Sequence, residues 1–103
     1  MIMKFGKTDI EQRCFDFSLR IVKMVGSLPK RNITQVLGKQ ILRSGTSIGA
    51  NVAEAHSAFS KKEFTYSMNI AKRESKETLY WLHLFVGSEI ISLSKSKLII
   101  QEN

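Results

Sequence analysis

The chain has 103 residues, a length that suits one domain built around a single hydrophobic core. Apolar residues make up 43% of it, too many for a disordered tail, and no run of about 18 apolar residues could cross a membrane. One Pro and 6 Gly argue against a β-sandwich, which needs many turns. A net charge of +7 fits either a polyanionic partner or simple solubility.

The first predicted helix runs from about residue 9 to residue 27. Thr8 and Glu11 have the spacing of a capping box, in which the first side chain accepts a free amide of the opening turn. An apolar stripe then follows at alternating steps of four and three: Ile10, Cys14, Phe17, Ile21, Met24 and Leu28. Such spacing is typical of a helix with one buried face. Pro29 ends the helix, because proline disfavours helical geometry in the residue before it.

Cys14 is the only cysteine, so no internal disulfide can form. Its position on the apolar stripe predicts inert packing rather than reactivity. A lone thiol and a start without a secretory apolar segment both agree with a cytoplasmic protein.

The second predicted helix runs from about residue 33 to residue 57. Asn32 and Gln35 form a looser capping box. The stripe here is Leu37, Ile41, Ser44, Ile48, Asn51 and Ala55. Gly45 and Gly49 each cost a helix about 1 kcal/mol relative to alanine. We therefore expect another backbone to approach this helix closely.

The third predicted helix runs from about residue 61 to residue 89 and opens with Ser60 and Glu63 as a capping pair. Its stripe is Phe64, Met68, Ala71, Ser75, Thr78, Leu82 and Phe85. From residue 79 to residue 86 the helix is apolar on nearly all sides, so it must be covered by more than one neighbour. The residues predicted to contact a fourth helix or another subunit are Tyr80, Trp81, Leu84 and Phe85.

A short C-terminal helix is predicted from about residue 93, with about ten residues remaining, which is short for an independent helix. Short connections make successive helices antiparallel neighbours. The sequence therefore predicts an all-α fold: residues 1–103 form a single domain, an antiparallel up-down four-helix bundle whose fourth helix is short or truncated.

Four polar residues on or beside the stripes are predicted to form an internal hydrogen-bond network that fixes helix register: Arg43, Asn51, Glu54 and Glu77. Arg43 with Glu54 or with Glu77 is the expected charged pair. The alternative is a binding site in a cleft.

Catalytic and metal chemistry find no support in the residue spacing. Glu74 and Glu77 lack the histidine that a ferritin-like metal site places three residues on, and His83 stands alone in an apolar segment. Glu54 and His56 are two apart and point in different directions on a helix. We expect no catalytic residue, no metal and no cofactor, and therefore no enzyme.

Basic residues cluster on the predicted helices. The predicted contacts to nucleic-acid phosphates are Lys39, Lys61, Lys62, Lys72, Arg73 and Lys76. The alternative is an ordinary solvated helix face.

Three motifs resemble those of one family: ILRSGTSIGANVAEA at 41–55, SKKEF at 60–64 and ETLYWL at 77–82. They are similar to a four-helix bundle family that includes proteins encoded in intervening sequences of bacterial 23S ribosomal RNA genes, with the accessory protein of diversity-generating retroelements as a relative. The resemblance implies a left-handed bundle, a ring-like homopentamer and no catalytic activity. It also implies a basic surface that meets nucleic acid or a nucleic-acid enzyme. The short fourth helix departs from the family pattern.

The leading hypothesis is a non-enzymatic, cytoplasmic, homo-oligomeric helical scaffold that binds RNA or DNA. The alternative is a protein-interaction adaptor that docks a nucleic-acid-processing enzyme. Neither hypothesis involves a membrane.

Overall fold

The structure, a computed structural model, describes residues 5, 6, 8–92, 96, 99 and 100. These residues form three helices and no strand: α1 (Asp9–Gly26), α2 (Asn32–His56) and α3 (Lys61–Gly87). The predicted all-α fold is confirmed.

Side chains that cap the helices account for where α1 and α3 begin. Thr8 Oγ1 accepts a hydrogen bond from Glu11 N at 3.2 Å, and Ser60 Oγ accepts one from Glu63 N at 3.1 Å. Each bond satisfies an amide that has no partner inside its helix.

The capping pair predicted for α2 is wrong. The N-cap of α2 is Arg31 rather than Asn32, and Arg31 N donates to Thr34 Oγ1 at 3.1 Å. Thr34 is buried against the α1–α2 connection, so its hydroxyl rather than the Gln35 side chain reaches back to the first turn.

The three helices pack with α2 in the middle. It contacts α1 and α3, whose Cα atoms stay more than 8 Å from each other within the described part of the chain. Gly38 contacts Val25 and Gly49 contacts Cys14 on one side of α2, and Arg43 pairs with Glu77 and His56 with Phe64 on the other, so neighbouring helices are antiparallel.

The buried core follows the middle of each predicted stripe. Its members are Cys14, Phe17, Ile21, Met24, Ile41, Ile48, Val52, Ala71, Leu82, Phe85, Ile91 and Ile99. The stripe ends differ from the prediction: Ile10 is 45% exposed and Phe64 is 40% exposed. Both lie in the first turn of their helices, near His56 at the end of α2, and the Phe64 ring meets His56 edge to face.

The two sides of α2 meet their neighbours through different chemistry. We call the contact with α1 the glycine seam: a Cβ added at Gly45 would lie 3.0 Å from Ile21, and one at Gly49 would lie 3.2 Å from Cys14 Cβ and 3.4 Å from its carbonyl oxygen. The contact with α3 is the polar seam, where the buried hydroxyls of Ser44 and Thr78 share a hydrogen bond of 2.9 Å.

The predicted C-terminal helix lies mostly outside the described residues. Ser96, Ile99 and Ile100 are described, and all three have helical backbone. Ser96 N donates to Ser92 O at 3.1 Å, and Ile99 is buried in the core. Positions 93–95, 97, 98 and 101–103 are not described.

Candidate nucleic-acid interface

Five of the six basic residues predicted to bind phosphate share one side of α3. We call this group the cationic face: Lys61, Lys62, Lys72, Arg73 and Lys76. All five are exposed. At 3.6 residues per turn they lie on the side of α3 opposite its buried Ala71, Thr78 and Leu82. The helix period thus places Lys62 and Lys72, which are ten positions apart in the sequence, on the same side of α3.

The carboxylates of α3 have hydrogen-bond partners outside the cationic face. Glu74 and Glu77 both bind Arg43 on α2, and Glu63 Oε1 accepts a hydrogen bond from Phe59 N at 3.0 Å. Among the described residues, no salt bridge involves a member of the cationic face. The basic residues on the solvent-facing side of α3 are therefore not paired with a carboxylate among the described residues.

Arg43 stands at the centre of an ion cluster that bridges α2 and α3. Its Nη1 lies 3.2 Å from Glu74 Oε1, its Nη2 donates to Glu77 Oε2, and Trp81 Nε1 donates to the same Glu77 oxygen at 3.0 Å. The hydrogen bond from Trp81, followed by that from Arg43, holds the pKa of Glu77 below its usual value. The bond to Glu77 in turn raises the pKa of Arg43.

This cluster is not the internal network that the sequence predicts. The Arg43 side chain is 50% exposed, because its neighbour Ser44 occupies the buried position on α2. Asn51 Nδ2 donates to Ser47 O of its own helix at 2.8 Å, and Glu54 is exposed. The polar contact that is buried joins Ser44 to Thr78. Both lie on predicted apolar stripes. A hydroxyl side chain at a stripe position is the feature of the sequence that indicates a buried polar contact.

A groove of about 590 Å³ lies near the α2–α3 connection and is lined in part by Asn51 and Glu54. Phe59, which is fully exposed, and Tyr66 also line it. The two residues assigned to the polar network therefore border a surface depression and do not join Arg43.

Of the residues predicted to contact a fourth helix or another subunit, some are exposed and others are buried. Tyr80 is 62% exposed and Leu84 is 37% exposed, whereas Phe85 is fully buried in the core. Trp81 is half-buried and meets Tyr80 edge to face, with 5.3 Å between the ring centroids. Phe85 is thus a core residue.

Two exposed apolar residues of α2 were missed. Ile33 is 59% exposed and Val36 is 61% exposed. The antiparallel pairing places Val36 at the height of Leu84 on α3. Both lie off the stripe that contains Leu37 and Ile41, which is the feature of the sequence that indicates their exposure.

Lys39, the sixth predicted phosphate contact, is separate from the cationic face. It is exposed on α2 and lines a groove with the end of α1. Sequence reasoning also missed that residues 17–53 contain no Asp or Glu, although the printed sequence shows it directly.

In the described part of the chain, no group of three or more His, Cys, Asp or Glu side chains could hold a metal ion. Cys14 is buried, and burial raises the pKa of its thiol. Among the described helices, none is long and apolar enough to span a bilayer.

The chain resembles known proteins in both sequence and structure. The family model of the 23S rRNA-intervening sequence protein matches residues 6–103. A crystal structure from Bacteroides thetaiotaomicron, described as a protein with unknown function from the S23 ribosomal protein family, is 40% identical and superposes with a TM-score of 0.85 over 90% of this chain and 86% of its own. Curated proteins gave no significant match. The chain belongs to the 23S rRNA-intervening sequence protein family.

Proposed function

We propose that the chain is a non-enzymatic, homo-oligomeric helical scaffold that binds RNA or DNA through the cationic face of α3. The observation that supports this most directly is the separation of charge on α3: its basic residues face solvent, while its carboxylates are held by Arg43 or by the helix start. A surface whose basic groups are not paired with carboxylates keeps its positive potential and attracts phosphates strongly.

The spacing of the cationic face suits a phosphate backbone. Lys62 and Arg73 are about 16 Å apart along the helix axis, at about 1.5 Å per residue, and Lys76 lies about 5 Å further on. Tyr66 is exposed and lies one turn from Lys62 on the helix surface, where it is available to stack on an unpaired base. Phosphate contacts with optional stacking give affinity with little sequence selectivity.

A charge-reversal pair tests this function. Affinity for a hairpin RNA and for a duplex DNA is measured by fluorescence anisotropy at several salt concentrations. In Lys72→Glu/Lys76→Glu we expect the slope of log affinity against log salt concentration to flatten by about two. The control is Lys30→Glu/Lys39→Glu, which changes the net charge equally, from +7 to +3, since each exchange removes 2 charges. Equal losses in both variants, or binding that does not respond to salt, would contradict the proposal.

The proposal includes self-association through an apolar patch formed by Val36, Tyr80 and Leu84. Their exposure supports it, because aromatic and aliphatic side chains at one height of two neighbouring helices suit a protein contact. A ring of five is the assembly that the family resemblance implies. Leu84→Glu should shift the wild-type oligomer to monomer in sedimentation equilibrium, whereas Lys62→Glu, at the other end of α3, should leave it unchanged.

We further propose that the C-terminal residues from about 93 form the fourth helix of the bundle. Burial of Ile91 and Ile99 in the core and the helical backbone at Ser96, Ile99 and Ile100 support this. Backbone chemical shifts typical of helix from residue 93 onward are the expected result, and random-coil shifts there would contradict it.

The groove that Lys39 lines favours a second role, that of an adaptor that docks a nucleic-acid-processing enzyme. Partners that disappear from a pull-down after nuclease digestion would count against that role.

A further inference from the structure

A groove of about 400 Å³ lies where the end of α1 meets the first turns of α2. Its apolar wall includes Val25, Leu28 and Leu42, and Gly38 adds no side chain to its floor. A Cβ at Gly38 would lie 3.4 Å from Val25 and 3.8 Å from Leu28, so these two side chains of the wall pack directly against the backbone of α2. The depression is therefore wide enough for an apolar side chain from another molecule.

The edge of this groove is positively charged. Lys30 and Lys39 both line it and are exposed. Neither forms a salt bridge with another described residue. Because residues 17–53 contain no Asp or Glu, both helices that build the groove lack a carboxylate near it. An occupant must bring its own negative charge to neutralise these lysines.

The apolar wall distinguishes between anionic occupants. Nucleic acid presents phosphates and polar base edges and has little aliphatic surface to cover Val25, Leu28 and Leu42. A flat membrane surface does not enter such a groove. A protein segment that carries an aliphatic or aromatic side chain beside acidic residues matches both the wall and the edge.

We propose that this groove docks an acidic amphipathic segment of a partner protein. One large apolar side chain of the segment packs against Val25, Leu28 and Leu42, and its carboxylates bind Lys30 and Lys39. This interaction uses residues outside the cationic face, so the chain is able to hold a protein and a nucleic acid at the same time.

Selection from a random dodecapeptide library displayed on phage, with the full chain as bait, tests the proposal. Enriched peptides should combine Asp or Glu with a large apolar residue. Synthetic copies should bind the wild type in fluorescence anisotropy and lose at least tenfold in affinity when either the apolar residue or the acidic residues are replaced by Ser.

Two variants with the same net charge locate the binding site. Lys30→Glu/Lys39→Glu should lower the affinity for the peptides at least tenfold, whereas Lys61→Glu/Lys62→Glu should leave that affinity within twofold of wild type. Both changes are at exposed positions, and circular dichroism verifies that each variant is folded. No enrichment, peptides without acidic residues, or equal losses in the two variants would overturn the proposal.

The same variants separate this proposal from nucleic-acid binding. If the groove instead binds nucleic acid or lipid, Lys30→Glu/Lys39→Glu will reduce the affinity for a hairpin RNA or for vesicles of anionic phospholipid more than it reduces the affinity for the peptides. Loss of peptide binding with RNA binding retained supports the groove whatever becomes of the cationic face.

Discussion

The glycine seam and the polar seam show two ways in which one helix recognises two neighbours. Towards α1, α2 presents Gly45 and Gly49, so close that an added Cβ would lie 3.0 Å and 3.2 Å from side chains of α1. Towards α3 it presents Ser44, hydrogen-bonded to Thr78, and Arg43, which binds two carboxylates. Steric fit specifies the first contact and polar pairing specifies the second.

The difference has an energetic consequence. A close-packed seam has no room for additional atoms, so substitutions there force the backbones apart. A seam with a buried hydrogen bond has a further requirement, because each buried polar atom must keep a partner. The glycine seam should therefore be most sensitive to added volume, and the polar seam to the loss of one hydroxyl.

The largest effect is expected from added volume at the glycine seam. Gly45→Val should lower the free energy of unfolding by about 1–3 kcal/mol, because its side chain overlaps Ile21. Urea denaturation followed by circular dichroism measures it. Gly26→Ala is the control, since a Cβ there meets no atom within 4 Å. If Gly45→Val were as stable as wild type, the seam would not be closely packed.

A smaller loss is expected from removing one hydroxyl in the polar seam. Thr78→Val keeps the volume but leaves the buried Ser44 Oγ with only a long bond of 3.4 Å to Ile41 O. The free energy of unfolding should fall by about 1–2 kcal/mol. Adding Ser44→Ala should recover part of this loss. Simple additivity in the double variant would show that the two hydroxyls are not coupled.

Loss of the surface ion cluster should matter less. Arg43→Gln is expected to cost less than about 1 kcal/mol, because the guanidinium is half exposed and water screens the pair. The cost should shrink further in 1 M salt. Lys72→Gln, an exposed cation with no described salt bridge, serves as the control. A cost that does not depend on salt would point to lost packing rather than lost charge.

The smallest effect concerns the pKa of Glu77. Trp81→Phe removes the indole N–H that contributes most to lowering this pKa, so the pKa should rise towards its usual value of about 4.3. The lowered pKa stabilises the folded chain above the unfolded-state value, and the contribution disappears as pH falls through the folded-state value. Stability should therefore depend less on pH in the variant. A carboxyl carbon NMR titration that shows no change would exclude the hydrogen bond.

The sequence predicted what depends on local spacing. Ile21, Ile48 and Leu82, in the middle of their stripes, all lie in the core, and Thr8 and Ser60 cap their helices as their spacing indicates. Each of these features requires only a helix of ordinary period or an adjacent turn.

What depends on the pairing of helices was harder to predict. The spacing within α2 could not show whether Arg43 pairs with Glu54 of its own helix or with α3, because the answer depends on the register between helices. Phe64 fits the stripe but lies in the first turn of α3, beside the last residue of α2, where it is 40% exposed. The absence of Asp and Glu from residues 17–53 is visible in the sequence, yet it gains meaning only where α1 and α2 form a groove.

The central place of α2 has a consequence for folding and ligand effects. Because the same helix completes both contacts, separation of α1 or of α3 removes cover from Ile41 and Ile48 alike, so partial opening is penalised. Amide hydrogens in the middle of α2 are expected to exchange with solvent only through global opening of the chain. A ligand held on one flank would consequently slow exchange on the other flank as well.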